Sequence, residues 1–363
     1  MRCPYWIFAT FFLAAVAASN ASAIAIQTVQ VGVPGNSPDT EVMTTDGTTG
    51  YGSVASSYRI GSTEVTNAQY VEFLNSVGRV DPFQLYLPVM TTNSWGGIIR
   101  DGVSGSYTYS VKPNAIGQGP GGTDYTYADK PVNYVSWYDS LRFVNWLHNG
   151  QGNGDTESGA YTLLGGTIIP TNGDAITRNP GARWFLPSEN EWYKAAYFDG
   201  TTGTYFDYPT GTNNNPNNNL PSADTGNSAN FLAGGLTTGN EPYPFTDAGD
   251  YSLSSSPFGT FDQGGNVWEL HETITAPGMR GVRGGTYDGE GFNLAASHRA
   301  IAVSPSGHAD NIGFRVASAI PEPSSAALCL VLVALALESR KCRRRASIAS
   351  EVQSIAVANK AKR

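Results

Sequence analysis

The stretch FDQGGNVWE at Phe261–Glu269 is followed by RGVRGGTY at Arg280–Tyr287 and by IGFR at Ile312–Arg315. It packs glycines, an Asn, a Trp and two carboxylates, Asp262 and Glu269, into a short run. Glycines permit backbone turns that other residues resist. The mix suits an irregular segment that turns tightly and holds a cation, rather than a helix or a regular strand. Gly284-Gly285 after Arg283 reads as a strand followed by a turn.

Helical blocks lie upstream. In YRIGSTEVTNAQY (Tyr58–Tyr70) the residues Tyr58–Ile60 and Glu64–Val65 read as strand. Thr66 is an N-cap with Gln69 three places on, a capping box, and the helix runs through Asn75. PVNYVSWYDSLRFVNWL (Pro131–Leu147) carries a second helix behind Ser136, with Trp137, Leu141, Val144 and Leu147 on one stripe. ARWFLPSENEWYKAAYFD (Ala182–Asp199) gives a strand at Arg183–Leu186, then a helix capped by Ser188 with Glu191 completing the box. Carboxylates are favoured at a helix N-terminus, so Glu189 and Glu191 read as structural. Thr91–Lys130 reads as turns and short aromatic strands, and Ile26–Val33 as one short strand. Residues 206–259, rich in Asn, Thr, Gly and Pro, read as exposed loops with few buried residues and a short ordered element at Ser228–Leu232.

Both ends carry addresses. Residues 1–23 have the layout of an export signal: Arg2, an apolar run at Trp6–Ala18 and the small-x-small site Ala21-Ser22-Ala23. At the other end Pro321-Glu322-Pro323 precedes the apolar run Ser324–Leu337 and the basic cluster Arg340–Arg345. The run is marginal for crossing a bilayer, and the cluster would stop transfer on the cytoplasmic side. Residues 321–345 resemble a PEP-CTERM sorting segment. The resemblance implies an exosortase-type membrane protease and the inner membrane as partners, and a cell-surface or extracellular destination. Residues 346–363 are an extension beyond that pattern. A plain C-terminal anchor is the other reading of this end.

Between the ends, residues 24–320 carry 13 Lys and Arg against 27 Asp and Glu, a formal charge of −14. Such a surface repels phosphates, which excludes nucleic acid as a partner. The three cysteines are Cys3, Cys329 and Cys342. A segment without thiols has no internal disulfide and no thiolate nucleophile or copper–thiolate site.

Four blocks in order, EVTNAQY, PVNYVSWYDSLRFVNWL, RWFLPSENEWYKAA and GGNVWE…RGGTY…GFR, resemble the sulfatase-modifying-factor family, the formylglycine-generating-enzyme-like domains. They span Tyr58 to Val316. The resemblance implies an α+β fold. It would be a single compact domain over 58–320, a variant of the C-type-lectin-like fold with little regular secondary structure, preceded by an N-terminal arm at 24–57. It also implies Ca²⁺, held on the positions matching the family loop by Asp262, the carbonyls of Gly265 and Val267, and the carboxylate of Glu269. Oxygen ligands are what Ca²⁺ takes. A second family calcium site would draw on Asn230.

The family's catalytic cysteine pair lies just after the segment matching GGTY and binds copper. Here the run Asp288–Arg299, DGEGFNLAASHR, contains no cysteine. His148, His271, His298 and His308 form no HxxxH or HxH pair, and no nucleophile elbow or phosphate loop is present. An acid/base group of Asp288, Glu290 and His298 is the remaining option within that run. Arg299 and Arg315 read as braces of the C-terminal core. The expectation is a non-catalytic, calcium-stabilised surface module that binds a glycan or a peptide, or serves a structural role. The alternative is a metal-dependent oxidoreductase of the same superfamily.

Overall fold

Three capping boxes start the main helices. A computed structural model describes residues 23–234, 238, 242–300 and 303–320. The rest of the expected export signal and the whole sorting segment lie outside these residues. The helices are α1 (Asn67–Val77), the single-turn α2 (Val89–Thr92), α3 (Trp137–His148) and α4 (Glu189–Tyr197). Thr66, Ser136 and Ser188 each accept the N–H three residues on, and Gln69, Asp139 and Glu191 return the bond. Each pair satisfies two of the donors that a helix start leaves open.

The strands are short. They are β1 (Thr28–Val31), β2 (Tyr58–Gly61), β3 (Ile98–Asp101), β4 (Thr108–Val111), β5 (Trp184–Phe185), β6 (Phe198–Asp199), β7 (Thr204–Tyr205), β8 (Trp268–Ala276), β9 (Met279–Arg283), β10 (Ile312–Phe314) and β11 (Ala317–Ala319). One sheet has the order β1-β2-β11-β5, a second β10-β8-β9, and β3-β4 and β6-β7 are separate hairpins. β10 lies parallel to β8, and β9 antiparallel to it. The expected α+β class with little regular structure is what the chain adopts. Contacts divide the chain at Ser318.

The main core gathers α1 and α3 against the sheets. Tyr70, Phe73, Phe143, Trp146 and Phe314 meet as neighbouring rings with centroids 5.3–6.0 Å apart. All five are nearly or fully buried. Aromatic packing of this kind adds to plain area burial.

Three local expectations are corrected. Glu64–Val65 is not part of a strand. Val65 instead bridges two elements, donating to the Phe314 carbonyl at 2.9 Å and accepting from Val132 at 2.8 Å. Trp268 and Glu269 are not irregular; they open β8, the longest described strand, because Ile312 and Gly313 pair beside them. The described residues of 206–259 are not mainly exposed: Ser228, Ala229, Asn230, Phe231, Phe245, Thr246 and Tyr251 are buried. Isolated bridges at Asn217–Ser228, Asn230–Gly265 and Leu232–Glu290 carry this chain into the interior. Side-chain amides satisfy it there, in place of a regular ladder.

A close approach in β9 gives the sharpest packing test. A Cβ on Gly281 would fall 2.1 Å from Cε1 and 2.3 Å from Nε2 of buried His271. Gly281→Ala should destabilise by well over the roughly 1 kcal/mol expected for the cap deletion Ser188→Ala. Urea unfolding of the two variants checks the order; equal losses would show that β9 stands further from His271 than described.

Candidate functional site

The turn at 261–267 is built from left-handed backbone. Asp262 has φ 57° and Asn266 φ 60°, and Gly265 has φ 88°. Such values are uncommon for residues with a Cβ and concentrate at functional sites. Gly265 is also forced by contact, since a Cβ there would meet the Asn230 carbonyl oxygen at 2.1 Å. Gly265 and Val267, whose carbonyls are the expected ligands, are both buried on this turn.

Glu269 sits where the turn becomes β8. Its side chain and that of Arg315 are both wholly buried. The guanidinium grips the carboxylate with Nε at 2.5 Å and Nη2 at 2.6 Å. Arg315 also donates to the carbonyls of Gly61 at 3.0 Å and Phe261 at 2.9 Å. Trp192 Nε1 donates to the same Glu269 oxygen as Nε, at 2.8 Å. Planar two-point pairing of this kind is what Arg supplies and Lys does not.

Asp262 and Glu64 lie in the same interior with less support. Asp262 accepts the Gly249 N–H at 2.5 Å. Asn266 ties the neighbourhood together. Its Nδ2 donates to Glu64 at 3.2 Å, and its Oδ1 accepts from Asn230 at 3.1 Å and from the Thr246 N–H at 3.3 Å. Three buried oxygens here have no hydrogen-bond partner: Glu64 Oε2, Asn230 Oδ1 and Thr246 Oγ1. Buried polar atoms are nearly always paired, so such a group asks for an explanation.

The charges do not balance. Glu64, Asp262 and Glu269 interact with one another and with a single guanidinium, Arg315. Burial pushes the Asp262 carboxyl up to about 7, with Asp250 and Glu269 adding to it and the Gly249 N–H and Arg315 opposing. Burial also pushes Glu64 well above the usual carboxylate range, and Asp262 then Glu269 push it further. An ionised carboxylate is costly to bury without a partner.

These residues can be tested against the Ca²⁺ that the family loop implies. The donors are all oxygens, which suits a hard cation better than copper or iron. The surplus negative charge and the orphaned oxygens fit an ion beside Asp262 and Glu64. Glu269 fits less well, because Arg315 holds both its oxygens; it would reach an ion only by sharing them. Asn230 stands in this same network. Among the described residues no three His, Cys, Asp or Glu side chains group to hold a metal. A shell made partly of carbonyl and amide oxygens does not need such a triad.

Glu64 is the residue that sequence reading missed. Its position just before the Thr66 cap looks like ordinary strand, and only the fold brings it to Asn266, 202 residues later.

The other expected groups have structural partners. Glu189 is held by Arg283 at 2.9 Å and by both arms of Arg299 at 2.8 and 2.9 Å. Glu191 pairs with Arg178 at 2.6 Å. The acid/base option does not assemble. His298 meets Asn293 at 3.0 Å while Asp288 accepts from Asn311 at 3.3 Å, and no hydrogen bond joins His298 to Asp288 or Glu290 among the described residues. His271 is buried, which lowers its pKa to about 4. His148 Nδ1 accepts from the Arg183 N–H, and His308 faces Asp139 at 3.3 Å.

Residues 29–320 match the family model described as the sulfatase-modifying factor enzyme 1-like domain. The chain belongs to this family. No curated protein matches it. Among solved structures it is similar to variable protein 1 of Treponema denticola at 19% identity and TM-score 0.52, covering 83% of this chain and 97% of that one. It is also similar to CarF at 22% identity and TM-score 0.51, covering 82% and 100%. At these identities the likeness shows the fold alone. The sulfatase-modifying-factor fold therefore places the GGNVWE turn, the GGTY strand end and the GFR arginine around one buried cluster.

The charge surplus predicts a pH signature in chelator-treated protein. The folded Asp262 carboxyl titrates at about 7, above its ordinary 3.8. Its ionisation therefore costs stability above pH 7, and the cost disappears as the pH falls toward 4. Asp262→Asn keeps the acceptor for Gly249 and tolerates the left-handed backbone. It should stabilise the metal-free protein by a few kcal/mol at pH 8 and give no advantage near pH 4. Urea midpoints across pH measure this; a variant weaker than wild type at pH 8 would end the reading.

Proposed function

We propose that this sulfatase-modifying-factor domain is an exported, non-catalytic binding module whose folded state is completed by Ca²⁺ in the 261–269 turn. The observation that carries the reading is the surplus of buried carboxylate beside three oxygens without partners. Asp262 and the carbonyls of Gly265 and Val267 would hold the ion. Glu64 would offer its orphaned oxygen, and Glu269 would share its carboxylate with Arg315. When bound, the ion supplies charge compensation and no chemistry on a substrate.

The sequence supports the non-catalytic part, because the family reaction belongs to thiols and the run 24–320 has none. An oxidoreductase reading would need a copper or iron centre built from other groups. The terminal segments support export and surface sorting, with an exosortase-type protease and the inner membrane as partners. They lie outside the described residues. Among the described residues no helix is long and apolar enough to cross a membrane. The ligand we assign is a glycan, with a peptide as the other candidate class.

Three measurements test this. Elemental analysis of the purified protein should find calcium near one equivalent, with neither copper nor iron; stoichiometric copper or iron would revive the oxidoreductase. Chelation should lower the Tm, since an ion at 100 times its Kd contributes roughly 2.7 kcal/mol. An unchanged Tm would remove the ion from the fold. For the ends, mass spectrometry of the cell-surface form should find the chain shortened near Ala23 and near Pro321. A mature chain ending at Arg363 would exclude cleavage.

A further inference from the structure

A cavity of about 300 Å³ opens between the chain after α1 and the chain after α3, far in sequence from the 261–269 turn. Val77, Val80, Pro82 and Phe83 line it with apolar surface and Asn153–Glu157 with polar surface, and the exposed Arg79 also lines it. We propose that this cavity is the binding site of the module and that its ligand is a neutral saccharide. The assignment rests on the binding-module reading above and names the site and ligand class for it.

The walls are fixed before any ligand arrives. Arg142, fully buried, stands under Phe83 with its guanidinium carbon 4.3 Å from the ring centroid. The same guanidinium grips Glu157 at 2.6 and 3.1 Å and donates to the carbonyl of Thr167 at 2.9 Å. One side chain thus joins both sides of the cavity. Asp81 secures the apolar wall by accepting the Leu85 N–H at 2.7 Å and the Tyr86 N–H at 3.3 Å. Asparagines secure the polar wall: Asn145 donates to the Thr156 carbonyl and Asn149 to the Asp155 carbonyl, each at 2.8 Å. Asp81 and Gln84 hold left-handed φ of 52° and 55° without being glycine. Held strain of this kind is typical of binding surfaces, and a rigid site loses less entropy on binding.

The chemistry of the lining selects the ligand. Glu157 is neutralised by Arg142. Asp155 already accepts the Glu157 N–H at 2.8 Å and the Ser158 hydroxyl at 2.5 Å. Both carboxylates keep lone pairs for hydroxyl donors; Asp155, exposed and without a cationic partner among the described residues, keeps its charge, but one free carboxylate falls far short of the oxygen shell that a divalent cation takes. They repel phosphate. The side chains of Arg79 and Asn153 form no hydrogen bond or ion pair to the described residues, and both are exposed. They supply donors, and Asn153 an acceptor as well. A sugar ring matches this arrangement: a C–H face for Phe83 and Val80, and hydroxyls that both donate and accept around the edge. The volume lies at the low end of small-molecule sites, roughly 300–1,000 Å³, which fits one or two rings.

The test uses the purified full-length protein, with cellobiose, maltose and N,N′-diacetylchitobiose as probes in saturation-transfer NMR, with and without chelator. At least one disaccharide should bind at millimolar concentrations. Arg79→Ala and Asn153→Ala should each weaken it at least about fivefold while the Tm stays unchanged, because neither side chain has a structural partner. Glu72→Ala, on the exposed side of α1 outside the cavity, should bind like wild type. Binding retained in both cavity variants would overturn the site, and binding of inorganic phosphate but of none of the sugars would overturn the ligand class. No disaccharide signal at tens of millimolar would also overturn it. The metal content and the chelated Tm decide the calcium proposal independently, so sugar binding in a protein that holds no calcium and keeps its Tm on chelation would leave this site standing while that proposal fell.

Discussion

A single buried ion pair ties the two ends of this domain together. Arg315 reaches from the segment between β10 and β11 to Glu269 at the start of β8, and on to carbonyls of Gly61 and Phe261. It therefore joins the second sheet to the first and pins the mouth of the 261–267 turn. Taking both charges out of water is costly, and the pair survives because every polar edge of the guanidinium has a partner. Removing either partner would leave a bare charge in the interior, which typically costs about 3–5 kcal/mol. The pair thus specifies geometry more than it adds stability.

One guanidinium does not neutralise three carboxylates. Asp262 and Glu64 share the interior with the pair, and burial drives both toward protonation. The fold must then hold either a proton or a cation in this region. The all-oxygen surroundings and the glycine-bearing turn are the grounds on which we propose the second.

Features set by neighbours in sequence were legible. The capping boxes at Thr66, Ser136 and Ser188 need only an i to i+3 relation, and each stands where the residue types place it. The strand end and turn at Arg283-Gly284-Gly285 follow from an equally local pattern. Features set across the chain were not legible. Glu64 meets Asn266 only after folding, and nothing around it marks an interior carboxylate. The run 206–259 looked exposed because its residues are polar, yet Asn230 and Thr246 are buried by hydrogen bonding to distant backbone and amides. Polarity alone cannot separate an interior amide network from a solvated loop. The role of Glu269 was half legible: the carboxylate was singled out, and its partner Arg315 lay in a separate motif.

The strand order of the first sheet has a consequence for biogenesis. β11 is the last made of the described strands, yet it lies inside the sheet, between β2 and β5, with the Gly61 N–H donating to the Val316 carbonyl at 2.7 Å. Until those residues leave the ribosome, β2 and β5 have no shared neighbour and the Arg315 anchor does not exist. Contacts of such sequence separation slow folding. The nascent chain is thus kept from locking prematurely, and a truncation that removes the last strand would leave an open sheet rather than a smaller domain.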